Sequence, residues 1–116
     1  MLRLRQICLV ARDLKPAVAE LESAFGLTTC HHDPGVAKYG LENALLPVGD
    51  NFLEVVAPVE ANTAAGRYLD RRGGDGGYIV ILECGNALER RARIQAQGVR
   101  IANTLDYGEF FGTQLH

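Results

Sequence analysis

The stretch NFLEVVAPV, residues 51–59, decides the fold, and it carries one oddity: a carboxylate, Glu54, in the middle of an apolar run. Phe, adjacent valines and a closing Pro favour extended chain, so the stretch reads as a strand. Strand side chains alternate between faces. Leu53, Val55 and Ala57 therefore share one face, and Phe52, Glu54 and Val56 share the other. An acid beside Phe and Val has two readings. Either that face meets water, the usual fate of a lone strand Glu, or it lines a pocket in which the carboxylate is a ligand or a base.

Outward from this strand, turn signals divide the chain into short elements. "GDN" precedes it, so "LENALLPVG" and "NFLEVVAPV" form a hairpin around Gly49-Asp50. Ahead of these, "LTTCHHD" reads as another short strand, set off by "PG". The chain opens with the apolar strand "RLRQICLVA", after which Asp13 can cap a helix with Pro16 in its first turn. Leu14, Val18, Leu21 and Phe25 form one apolar stripe on that helix, and Gly26 stops it. The first 59 residues are thus a β-α-β-β-β unit.

"EANTAAGRYLDRRGGDGG" follows. Asn62 or Thr63 can cap a short helix through Leu69, and the glycines at 73–77 read as a hinge. "GGDGG" lacks phosphate-loop spacing and a following Lys-Ser/Thr. "YIVILECGNALERRARIQAQGVRI" then repeats the opening pattern of strand, helix, glycine and strand. A shift of 72 residues superposes Gln6 on Tyr78, Ile7 on Ile79, Leu9 on Ile81 and Gly26 on Gly98, as expected of two copies of one supersecondary unit. The division is a single domain, 1–116, with modules at 2–59 and 77–116 and a linker at 60–76. "EFFGTQLH" supplies the third strand-like element of the second module, and the register leaves that module without its last strand.

Bulk properties exclude several function classes. The chain has 116 residues, net charge −2, 47% hydrophobic and 22% charged residues, so it suits one globular domain and carries no basic footprint for nucleic acid or anionic membrane. Its arginine-rich pieces are interrupted by acids and apolar residues. No run approaches the ~20 apolar residues of a membrane span. "MLRLRQ" has no signal-peptide apolar region, so the cytoplasm is the expected compartment. Cys8, Cys30 and Cys84, odd in number and widely spaced, read as reduced thiols, not as a disulfide framework or zinc site.

"QICLVARDL", "GDNFLEVVAPV" and "GGYIVILE", taken in order, resemble the vicinal oxygen chelate superfamily of glyoxalases, bleomycin-resistance proteins and extradiol dioxygenases. The resemblance implies an α+β fold in which paired βαβββ modules form a cupped mixed sheet around a small-molecule pocket. It also implies a divalent metal (Zn, Ni, Mn or Fe) held by residues of the first and last strand of each module. Carried over, those positions fall on Gln6 and Glu54, then on Tyr78 where His is expected, and the fourth falls on the absent strand. The cup interior would then present Gln6, Phe52, Glu54 and Tyr78, with His116 able to reach it.

Each of these residues also has a structural reading. Gln6 can be an exposed strand residue, and Tyr78 can pack with its hydroxyl outward. His31 and His32 point to opposite faces of one strand and read as surface residues. Two functions stay open: a metal-assisted enzyme of the glyoxalase or dioxygenase type, with Glu54 as ligand or base, and a metal-free protein that sequesters a small molecule, which Tyr78 favours. A strand missing from the second module also leaves an open sheet edge, from which a homodimer is expected.

Overall fold

In the computed structural model, which describes residues 1–115, the element order is β1 (Leu2–Val10), α1 (Leu14–Phe25), a 3₁₀ helix (Pro34–Tyr39), β2 (Leu41–Val48), β3 (Asn51–Pro58), α2 (Ala64–Arg72), β4 (Gly76–Cys84), α3 (Ala87–Ala96), β5 (Ile101–Tyr107) and β6 (Phe110–Leu115). A four-stranded mixed sheet has the order β2-β3-β1-β4, and β5 and β6 pair with each other in a second sheet. The fold is the expected α+β class. The chain divides into two compact units, Leu4–Leu82 and Met1–Arg3 with the residues from Glu83 onward.

The larger unit is organised by the NFLEVVAPV strand. β3 pairs in parallel with β1, Gln6 opposite Phe52 and Cys8 opposite Glu54. It pairs antiparallel with β2, from Val48 opposite Asn51 to Leu41 opposite Pro58. Gly49-Asp50 is thus the two-residue turn, with Gly49 at φ 57°. β2 is an edge strand, which is where Pro47, lacking an N–H, is tolerated.

The alternation read from the sequence separates two cores. On one face, Val55 and Ala57 join Ala44, Leu46, Ala11 and Leu14, and Val18, Leu21 and Leu53 pack around them. On the other face, Val56 joins Cys8, Val10, Ala65 and Leu69, with Tyr68 and Tyr78 alongside. α1 covers the first face and α2 contributes to the second. Thr63 caps α2, its hydroxyl accepting from the Gly66 N–H at 2.9 Å. Gly40, at φ 71°, ends the 3₁₀ helix where an added Cβ would sit 2.6 Å from Thr63 Cγ2, so only glycine fits.

Three expectations need correction. "LTTCHHD" is not a strand; it touches the sheet through one bridge, His31 to Leu45. Asp33-Pro34-Gly35 diverts the chain there: Asp33 accepts from the Gly35 N–H and Pro34 opens the 3₁₀ helix. Asp13 occupies the N-cap position of α1, yet its side chain makes no cap bond. Phe25, the last residue of the α1 stripe, is 67% exposed.

In the smaller unit, Gly108-Glu109 turns β5 into β6, with Tyr107 opposite Phe110. Asn86 caps α3 by accepting from the Glu89 N–H. From α3, Arg91 forks onto both oxygens of Asp106 at 2.6 and 2.9 Å and donates to Thr113 Oγ1 and the Gly112 carbonyl. A two-stranded sheet is marginal by itself, and this clamp ties it to the helix.

Candidate functional site

Glu54 lies on the sheet face opposite α1, among Cys8, Val10 and Val56, and is only 9% exposed. A buried carboxylate needs hydrogen-bond donors to offset the water it gives up. Both oxygens have one. Gln6 Nε2 donates to Oε1 at 2.8 Å, and Asn43 Nδ2 donates to Oε2 at 2.7 Å. Strand pairing makes this possible. Gln6 opposes Phe52 on β1, and Asn43 opposes Val56 on β2, so each sits diagonally from Glu54 on the same face. Diagonal neighbours are within reach of long side chains.

Asn43 is buried too, at 4% exposure, and its own oxygen accepts from the Asp33 N–H at 2.7 Å. The loop that follows α1 therefore fixes the amide that fixes the carboxylate. His32 reinforces the loop, its Nδ1 2.6 Å from the Asn43 carbonyl oxygen. His31 and His32 are exposed, and both contact backbone groups of β2.

Cys8 stands directly across from Glu54. Burial pushes its thiol well above the ordinary range, and the Glu54 carboxylate adds to the shift. Tyr78 packs on the same side, its ring 5.1 Å from that of Tyr68. Its phenol is raised chiefly by burial and then by Cys8. Both groups stay neutral at physiological pH. Alternation along β4 puts Val80 and Leu82 on the Tyr78 face, and these are 64% and 54% exposed. A buried, doubly held carboxylate thus neighbours an open apolar surface, a combination usual in small-molecule sites.

Of the residues expected at the site, Gln6 and Glu54 are in direct contact. Tyr78 is drawn to Cys8 and Tyr68, and Phe52 lies opposite Gln6, with the Arg5 guanidinium 6.0 Å from its ring centre. His116 lies outside the described residues. Asn43 is the partner that sequence reasoning missed. Its signal was present: alternation in "LENALLPV" sets one amide on a face with Leu45 and Pro47.

A resident divalent metal fits this donor set poorly. Each Glu54 oxygen already accepts an amide N–H, and Gln6 turns its NH₂, not its carbonyl oxygen, toward Glu54. A neutral phenol at Tyr78 is a weak ligand. Among the described residues, no three His, Cys, Asp or Glu side chains gather as a metal set, whereas hard divalent ions take about six oxygen donors.

Residues 7–113 match the family model described as a glyoxalase-like domain. No curated protein sequence matches the chain. Among solved structures, a hypothetical protein from Bacillus halodurans C-125 is similar at TM-score 0.87 and 17% identity, over 99% of this chain and 84% of that one. Methylmalonyl-CoA epimerase from Streptomyces coelicolor, in complex with 2-nitronate-propionyl-CoA, is similar at TM-score 0.83 and 22% identity, over 98% and 86%. The methylmalonyl-CoA epimerase from Mycobacterium tuberculosis gives 0.79 and 23%, over 91% and 71%. At these identities the structures establish a shared fold.

Proposed function

Because this chain belongs to the glyoxalase-like domain family, within the vicinal oxygen chelate superfamily, we propose that it acts on a small carbonyl compound at the Gln6–Glu54 face, with Glu54 as the catalytic carboxylate. The observation that carries this reading is the buried Glu54 side chain held by amides from the strands on both sides. Each carboxylate oxygen accepts one N–H and keeps a second lone pair. Glu54 would accept a proton from the carbon next to the carbonyl: the C–H bond breaks, an O–H bond forms on Glu54, and the electron pair moves to the carbonyl oxygen. Gln6 keeps a second N–H with which to meet that oxygen as it becomes negative. The proton then returns to carbon. No step passes through a metal. Tyr78 and Phe52 serve as walls for the ligand, and the neighbours that bind CoA esters make an acyl-CoA thioester the first compound to try.

A second reading, sequestration without turnover, is favoured by a specific observation: in the unit Leu4–Leu82 the carboxylate stands beside neutral Cys8 and Tyr78, with no second base described next to it. Incubation with propionyl-CoA in D₂O separates the two. Catalysis predicts deuterium uptake next to the thioester carbonyl, about 10²-fold or more slower in Glu54→Gln and unchanged by a chelator. Binding without uptake supports sequestration. Failure to bind any acyl thioester or simple ketone defeats both. Uptake that stops on chelation and returns with zinc, nickel, manganese or iron would restore metal chemistry to the site.

The same reading includes a homodimer and a cytoplasmic setting in which the three thiols stay reduced. The dimer is supported by the two-stranded β5–β6 sheet, whose outer edge offers backbone groups to a second copy.

A further inference from the structure

A cavity of about 460 Å³ opens at the end of the four-stranded sheet where β1 and β3 begin and β2 ends. Its walls are Leu4, Ile7, Phe25, Leu27, Val48 and Leu53, together with Phe52, Asn51 and Gln6. Ile7 and Leu53 belong to the α1 side of the sheet, while Gln6 and Phe52 belong to the Glu54 side. The cavity therefore wraps the sheet end and meets the carboxylate site at Gln6 and Phe52. Its size is that of a small-ligand site.

A second observation marks the same place. Leu4, Ile7, Phe25 and Val48, apolar and substantially exposed, converge on this cavity from three elements. Single exposed apolar residues are ordinary, but a cluster around a concavity marks a binding surface. Phe25 explains itself here. It does not join the α1 core, and its ring becomes a wall of the cavity.

We infer that the cavity holds the apolar tail of the ligand, with an uncharged oxygen function at Gln6, so the substrate class is an aliphatic ketone, ester or thioester. This rests on the reading of the Gln6–Glu54 face given above and narrows it. The chemistry of the walls selects the class. None of the nine described lining residues is charged. Gln6 offers both an N–H and a carbonyl oxygen, which suits a neutral head group. The Glu54 carboxylate 2.8 Å behind the Gln6 amide disfavours a second anion. A fatty carboxylate is thereby disfavoured, and a short charged metabolite has nothing to fill the apolar walls.

The probes are 2-octanone and octanoate, with binding followed by methyl-resolved NMR on the intact chain. 2-Octanone is expected to bind saturably, to perturb the methyl groups of Ile7, Leu27 and Leu53, and to bind at least about tenfold more tightly than octanoate. Val48→Trp, which fills the cavity from an exposed strand end, should weaken it by about tenfold or more, and Phe25→Ala by several-fold. Glu54→Gln, which removes the negative charge behind Gln6, should narrow the preference for 2-octanone over octanoate. Tighter binding of octanoate overturns the inference, as does 2-octanone binding that ignores both Val48→Trp and Phe25→Ala. Ketone binding that meets these tests, with no deuterium uptake from any carbonyl compound, keeps the cavity and removes the catalytic reading. Uptake from propionyl-CoA together with no 2-octanone binding does the reverse.

Discussion

Replacing Asn43 by alanine tests how the site is built. The substitution removes the donor to Glu54 Oε2 at 2.7 Å and the acceptor of the Asp33 N–H. A hydrogen bond to a charged, buried acceptor contributes about 1.5–3 kcal/mol, and the exposed Asp33 amide, which can turn to water, adds about 0.5–1 kcal/mol. The expected loss is about 2–4 kcal/mol, a large share of the ~5–15 kcal/mol of a typical domain. In urea this appears as a midpoint lower by about 1–2 M with the slope unchanged, read by far-UV circular dichroism. The same substitution in a Glu54→Leu background, where the carboxylate is gone, should cost only the Asp33 part. The difference, about 1.5–3 kcal/mol, is the coupling energy of the pair. Equal costs in the two backgrounds would mean that the amide does not hold the carboxylate, and the account of the site would fall with it.

Further expectations concern other parts of the chain. Thiol labelling should find Cys30 first and Cys84 more slowly, with Cys8 reacting only on unfolding; rapid labelling of all three would contradict the burial of Cys8. Because burial raises the Cys8 thiol, its contribution to stability is complete at neutral pH and declines as the pH climbs above the ordinary thiol range. Cys8→Ala should flatten that alkaline limb of the melting temperature. In the smaller unit, the bonds from Arg91 hold Asp106 below the ordinary carboxyl range. That contribution is present above the carboxyl's unfolded value and is lost as the pH falls below it, so Arg91→Leu should flatten the acid limb below about pH 4. Light scattering should give twice the chain mass across micromolar concentrations, and a monodisperse monomer refutes the dimer.

Much of the fold was legible because its signals are local. Gly49-Asp50 gave the hairpin, its two-residue length gave the register, and alternation sorted Val55 from Val56 onto different faces. Gly26 and Gly98, superposed by the internal repeat, both take positive φ, 66° and 75°. Thr28 to Asp33 was misread because threonines favour strands while ladder pairing depends on where the neighbouring strand runs, and here Asp33-Pro34 leads the chain away after one bridge. The family resemblance set Gln6 and Glu54 in one pocket as metal-ligand positions, whereas the bond between their side chains emerged only from the structure. Asn43 was missed, since alternation puts its amide on the Leu45 and Pro47 face without saying which cross-strand residue it meets. The nearness of Tyr78 to Cys8 likewise depends on the sheet order β3-β1-β4, which joins strands some 70 residues apart in sequence.

The tie between Asn43 and Glu54 spans the hairpin, and this limits how genes for such chains can change length. Inserting one residue between Asn43 and Gly49 turns Asn43 over, into the company of Ala44 and Leu46 beneath α1. Inserting two restores its face but carries it about 6.6 Å along the strand, beyond the reach of a 2.7 Å bond. Codon gains and losses in that interval should therefore be rare in descendants that keep the carboxylate, and where one is found Glu54 should have been replaced as well. No such bookkeeping applies to Thr28–Cys30, where the chain meets the sheet only in passing.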